Sequence, residues 1–276
     1  MKRLNSVLCT IATLFASLPS APLLADQRSA NPPEEVTIPL NPLPFDLRGY
    51  LRRPDGNGPF PAVIILAACG RFVSSVDHDW GEAISSWGYV TLTLDVFTPR
   101  RTVGRKTCLY PAPPELAEDA YRGLNLLIKQ KSVNPKRIFI VGFGRGGSLA
   151  FSAVERDGIE RYASQKFRGA IAFYPSCSDV KGVMTVTTLV VVGERDKKTL
   201  DACRRMVEGE DDIGISRQHG AGAPIQLATL PDAYFGFDLP AFQKPIDVRG
   251  FHIEFSKPAT DQSREMLRQF LQSHGR

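Results

Sequence analysis

Six residues near the middle of the chain, Gly142-Phe143-Gly144-Arg145-Gly146-Gly147, carry the densest chemical signal in the sequence. They follow the apolar run Ile138–Val141 and open a helical segment. Gly142, Gly144 and Gly147 satisfy G-x-G-x-x-G, whose glycines let backbone approach a dinucleotide pyrophosphate. The same stretch also fits the strand–turn–helix elbow G-x-S-x-G, which presents a nucleophile at its apex, here with glycine at that apex. The first reading implies a bound dinucleotide and hydride transfer. The second implies a hydrolytic scaffold from which the attacking atom has been removed.

Distant residues separate the two. A dinucleotide loop normally ends the first strand, with an Asp or Glu about 20 residues on for the ribose. Here the glycines follow the fifth strand, and the corresponding stretch, Lys166-Phe167-Arg168-Gly169, leads into the next one. Arg168 could face a 2′-phosphate only from the wrong end of that strand. The elbow instead requires an acid after a later strand and a base in the loop after the next. "TLVVVGERDKKT" supplies Asp196, and "LPDAYFGFD" supplies the second loop. Ser148 is the nearest alternative nucleophile, but it lies four residues past the apex and inside the helix. His78, His219, His252 and His274 have no motif context; His252 in "RGFHIEF" is the first to test as a substitute base. No His/Cys/Asp spacing predicts a metal site.

The elements that must hold these residues are legible from periodicity. Strand-like runs occur at "EVTIPL", "FDLRGYLRRP", "AVIILAA", "YVTLTLDVF", "RIFIVGF", "GAIAFYP", "TTLVVVG" and "IQLATLP". From the third onward they are almost continuously apolar, as strands covered on both faces are. Helical segments at "DHDWGEAISSWG", "PELAEDAYRGLNLLIKQ", "GGSLAFSAVE", "LDACRRMVE" and "DQSREMLRQFLQS" fall between or after them. In the second, Leu116, Ala120, Leu124, Leu127 and Ile128 form one apolar face. Two strands able to pair antiparallel, followed by repeated strand–helix units, predict an α/β fold: an open, mostly parallel sheet with helices on both faces.

Composition sets the setting. The 276-residue chain opens with Lys2 and Arg3, an apolar run, and small residues around Ala25, the pattern of a signal peptide over residues 1–25. Pro19 and Pro22 and the shortness of the run argue against a membrane anchor, and no later segment predicts a span. Residues 26–44 read as a Pro-rich leader and 45–276 as one domain, large enough to bury a sizeable core. The formal charge of +5 includes two from Lys2 and Arg3, and both signs are interspersed, so nucleic acid is not an expected partner. Without Cys9, four cysteines remain, Cys69, Cys108, Cys177 and Cys203, an even number consistent with two disulfides in an oxidising compartment.

The segments "PAVIILAACGRF", "WGYVTLTLDVFTPR" with "TCLYP", "RIFIVGFGRGGS", "AIAFYPSC", "LVVVGERD" and "DAYFGFD" together resemble the dienelactone hydrolases of the α/β-hydrolase superfamily, in order and spacing and over nearly all of the mature chain. The resemblance implies an α/β-hydrolase fold, a Cys or Ser nucleophile, an Asp and a His. Carried onto this sequence, those positions hold Gly144, Asp196 and Phe235. Ala67-Ala68 stands where a His-Gly pair is usual, ahead of Cys69-Gly70. Glycine suits a strained elbow but offers no attacking atom. Phe235 keeps a planar ring but moves no proton.

The resemblance therefore implies an exported protein of ester or lactone hydrolase ancestry, without a cofactor, that binds a small carboxylate, ester or lactone, or a protein partner. An active hydrolase with a rearranged base or a water-based mechanism is the alternative, and a dinucleotide oxidoreductase the second. Cys69, Gly70, Arg71 and Arg145 are the candidate ligand contacts, the two arginines flanking the helix N-terminus that served the oxyanion. Asp196 is expected to pair with Arg195 or Arg145. In this fold the cysteines are expected to join as Cys69–Cys108 and Cys177–Cys203; closing the longer loop would stabilise by ~3–4 kcal/mol.

Overall fold

The computed structural model describes residues 32–69, 72–100, 113–178, 180–209 and 221–275. Residues 1–25, read above as a signal peptide, and Gly70, Arg71, Cys108 and His219 lie outside the described residues. Among the described residues ten strands are formed: β1 (Glu34–Pro39), β2 (Asp46–Arg52), β3 (Phe60–Leu66), β4 (Val90–Asp95), β5 (Val133–Phe143), β6 (Ala170–Phe173), β7 (Thr188–Gly193), β8 (Ile225–Leu230), β9 (Ile246–Val248) and β10 (Phe251–Ile253). The first eight make one sheet in the order β1-β2-β4-β3-β5-β6-β7-β8. β1–β2 and β2–β4 are antiparallel, and every later pair is parallel. This is the α/β-hydrolase arrangement. β1 comes from the stretch assigned to the leader and is the sheet's edge.

The continuous apolar runs bury both faces by alternation. Ile64, Leu66, Ile138, Ile140, Val190 and Val192 point into one core. Leu124 of α3 (Glu118–Leu127), Leu149 of α4 (Arg145–Val154) and Met206 of α5 (Lys197–Glu208) cover them. Val63, Ile65, Phe139, Val141, Ile171 and Val191 point into the other, beneath Leu267 and Phe270 of α6 (Lys257–His274). On that second side the chain descends through α1 (Val73–Val76), a five-residue π turn (Asp77–Gly81) and α2 (Glu82–Ser86). The widened turn brings two polar groups inward. Asp77 accepts from Arg52 Nε at 2.9 Å and Thr93 Oγ1 at 2.9 Å, and Trp80 Nε1 donates to Asp238 at 2.8 Å.

The helix predicted to start at Asp77 thus starts earlier, and the one predicted over 114–130 opens as a 3₁₀ turn, Pro114–Ala117, before α3. Among the described residues no helix is long and apolar enough to cross a membrane, and no group of His, Cys, Asp and Glu is arranged to hold a metal.

Candidate functional site

The elbow is built by the end of β5 and the start of α4. Gly144 sits between them at φ 53°, ψ −115°, a conformation that costs a side-chain-bearing residue about 1–3 kcal/mol. Its N–H donates to the Phe173 carbonyl at 2.9 Å, fixing the apex against the end of β6. Which neighbouring glycines the turn needs decides between the two motifs. A Cβ on Gly142 would lie 2.0 Å from the Gly146 carbonyl oxygen, and one on Gly146 would lie 2.1 Å from the Leu66 oxygen. A Cβ on Gly147 would meet nothing closer than 3.2 Å. The sterically required pair is therefore 142 and 146, two residues either side of the apex, which is the spacing of an elbow rather than of a dinucleotide loop.

Three side chains face the apex. A Cβ on Gly144 would lie 3.2 Å from Ala68 Cβ, 3.5 Å from Phe235 Cζ and 3.6 Å from Tyr174 Cε2. Gly144 and Phe235, distant in sequence, are thus brought together as the motif order predicts. Phe235 packs between Tyr174, with ring centroids 4.7 Å apart, and Phe251, at 4.9 Å. Phe251 belongs to the β9–β10 hairpin, which sequence reading missed; Lys198 on α5 lies over its outer side, 4.9 Å from the ring centroid.

Asp196 follows β7 at the start of α5, close to the Phe235 loop: Arg195 N–H donates to the Ala233 carbonyl at 2.8 Å. The expected pairing with Arg195 or Arg145 does not form. Arg195 turns outward to Asp232, at 2.6 Å, while Asp196 caps α5 by accepting from Thr199 N–H at 3.3 Å. A helix N-cap satisfies an orphan backbone donor, which a solvated ion pair would leave open. The second oxygen, Oδ2, is buried and has no hydrogen-bond partner among the described residues. Burial raises the Asp196 pKa above its ordinary value, outweighing the Thr199 hydrogen bonds and the Lys198 charge.

The Arg145 guanidinium lies over the Phe97 ring, 4.2 Å from the centroid, and its Nε and Nη1 are buried without hydrogen-bond partners among the described residues. Burial lowers its pKa. The stack on Phe97 holds those two nitrogens under protein atoms, and Arg71, the other half of the expected pair, lies outside the described residues.

The substitute residues are engaged elsewhere. Ser148 Oγ accepts from Ser176 N–H at 3.0 Å and donates to the Gly144 carbonyl at 3.4 Å. His252 has both ring nitrogens on carboxylates, Asp247 at 2.8 Å and Glu254 at 3.2 Å, and its ring lies 4.2 Å from that of Tyr234. Neither is placed to act at the apex.

Beneath the site lies a polar group that no local motif announced. Asp238 closes the loop that begins at Leu230, and its carboxylate accepts from Tyr174 Oη at 2.6 Å and Trp80 Nε1 at 2.8 Å. All three residues are buried. Burial raises the Asp238 carboxyl pKa, and burial together with the Asp238 charge raises that of the Tyr174 phenol. Cys177, three residues past Tyr174, is joined to Cys203 on α5, Cα atoms 4.9 Å apart, as predicted. Cys69, next to Ala68, is also disulfide-bonded; its predicted partner Cys108 lies outside the described residues.

A model of the dienelactone hydrolase family matches residues 47–274, from β2 through α6. The chain belongs to that family. Among solved structures it is similar to a dienelactone hydrolase from Anabaena variabilis, at 15% identity and TM-score 0.61, covering 89% of this chain and 100% of that one. It is similar to an esterase from Thermogutta terrifontis, at 17% identity and TM-score 0.61, covering 88% and 92%. A dienelactone hydrolase-like promiscuous phosphotriesterase from metagenomic libraries matches at 15% identity and TM-score 0.62, covering 87% and 97%. At these identities the likeness is one of fold. No curated protein matches the chain.

Proposed function

We propose that this member of the dienelactone hydrolase family is an exported scaffold that no longer hydrolyses esters or lactones by a nucleophile–His–Asp route and serves by binding a small carboxylate, ester or lactone, or a protein partner. The observation that carries the reading is the apex itself. Gly144 keeps the strained elbow backbone, and the ring that meets its missing side chain, 3.5 Å from the Cβ position, is Phe235 rather than an imidazole. Acyl transfer at this position needs an atom that attacks and a group that takes its proton. Neither residue offers one, and Ser148 and His252 are committed to other partners. The N-terminal signal pattern and the Cys177–Cys203 bridge support passage through an oxidising compartment.

The test is restoration. Wild type is expected to give no turnover of small aryl esters or lactones above background. Gly144→Ser with Phe235→His is expected to gain at least ~100-fold over wild type, a modest part of what a nucleophile with its base supplies, and each single variant much less. Gly144→Ser should cost about 1–3 kcal/mol of stability from the strained φ. Wild-type turnover abolished by Asp196→Ala would refute the loss of hydrolysis. Thermal-shift titration with small carboxylates and lactones tests the binding role, and no shift with any of them leaves the protein-partner form alone standing.

A further inference from the structure

A second concave site lies at the other end of the sheet. β1, β2, the end of β4 and α1 enclose a cleft of about 890 Å³. Strand register sets its floor: Thr37 pairs with Arg48 and Arg48 with Asp95, while Glu35 pairs with Tyr50. Residues directly opposite in antiparallel strands share a face, so these five side chains project together. Ser74 and Val73 of α1 close one wall, and Asp46 adds a third carboxylate. β3 separates β4 from β5 in the sheet, so β4, at the rim of the cleft, stands two strand spacings, about 10 Å, from the strand that carries the elbow.

The charges in this cleft are not spent on each other. On the same strand, Arg52 is paired with Asp77 at 2.8 Å, and just beyond it Arg53 is paired with Glu34 at 2.6 Å. Arg48 shares its cleft with three carboxylates and forms no ion pair among the described residues. Asp95, directly across the ladder, turns Oδ1 to the N–H groups of Phe97 and Thr98, at 3.2 and 2.9 Å. Among the described residues Glu35 and Asp46 are likewise exposed with no side-chain hydrogen bond, and Tyr50 offers a half-buried ring.

An anion would meet three carboxylates here, and a cation would meet Arg48 in the same row. A neutral molecule rich in hydroxyls suits both, since each hydroxyl donates to a carboxylate and accepts from the guanidinium. The Tyr50 ring gives the C–H face of a pyranose an apolar surface. The volume falls in the range of small-molecule sites. We propose that this cleft binds a mono- or disaccharide, independently of the elbow.

The whole protein would be titrated calorimetrically with D-glucose, D-galactose, N-acetyl-D-glucosamine and cellobiose, and with glycine and glutamine as zwitterionic probes. At least one saccharide is expected to bind with Kd between about 10 μM and 5 mM. Arg48→Ala and Glu35→Ala should each weaken it by ~10-fold or more while the thermal midpoint stays within ~2 °C of wild type, because both side chains are exposed. Phe235→His, at the elbow, should leave that affinity unchanged. Absence of binding by every saccharide at ~50 mM, binding of the zwitterions in their place, or an affinity indifferent to Arg48→Ala would overturn the assignment.

Discussion

Asp196 and Asp238 are both buried carboxylates whose pKa burial raises, both end a loop at the C-terminal edge of the sheet, and they differ in what their oxygens do. Asp238 has a donor on each oxygen, Tyr174 and Trp80. Asp196 has one oxygen on the α5 N-cap and one that is buried with no partner among the described residues. Buried polar atoms are nearly always paired, so an orphan calls for an explanation. Under the proposed function the orphan is the oxygen that a histidine at position 235 would serve, and Phe235 has no N–H to donate. The contacts of Asp238, by contrast, are complete.

The comparison can be broken most sharply at Asp238. Asp238→Ala would strand the Tyr174 hydroxyl and the Trp80 indole N–H in the core, each unsatisfied donor costing about 1–3 kcal/mol. A total loss of ~3–5 kcal/mol is expected, read by chemical denaturation. A loss below ~1 kcal/mol would show that the network is not what holds the loop. The pH dependence has a definite sign. A carboxyl whose folded pKa lies above its unfolded value is favoured protonated in the fold. Its penalty is absent below the ordinary value of 3.8 and grows as pH rises through the raised folded pKa.

Asp196 should respond less. Asp196→Ala removes a helix cap, worth about 1 kcal/mol. In the Phe235→His background the orphan oxygen is expected to gain a partner, so Asp196→Ala should cost ~1–2 kcal/mol more there than in wild type, the coupling energy of the double-mutant cycle. An equal cost in both backgrounds would mean that Oδ2 is not aimed at position 235.

How far the sequence foretold this follows from how local each signal is. All eight strands of the main sheet were legible, because apolar runs between turn residues carry their own period. The elbow and the Gly144–Phe235 approach were legible because motif order survives when the reactive residues change. Trp80, Tyr174 and Asp238 were not, since the hydrogen bonds that join them span 158 and 64 residues and each residue alone looks like ordinary core. The one available clue was the carboxylate that ends the aromatic stretch "AYFGFD". β9 and β10, three residues each, are too short for alternation to register. The Asp196–Arg195 pairing failed for a local reason: the acid sits where a helix begins, and capping wins over an exposed ion pair.

The smallest expected effect concerns that same hairpin. His252 lies between Asp247 and Glu254, with hydrogen bonding to Asp247 the main cause raising its pKa above the ordinary 6.5. A histidine held charged in the fold contributes stability that is fully present below its unfolded pKa and is lost as pH rises through the folded one. The group is largely solvent-screened, so the effect on global stability is slight, and the hairpin itself is the place to look. Since Phe251 backs Phe235 from this hairpin, loosening it should reach the substituted base position. Amide exchange of residues 246–253 is expected to be slower at about pH 5.5 than pH alone accounts for, relative to about pH 8.5, and His252→Gln should erase the difference. An NMR titration placing the His252 pKa at or below 6.5 would show that Asp247 and Glu254 do not hold the hairpin through a charged imidazole.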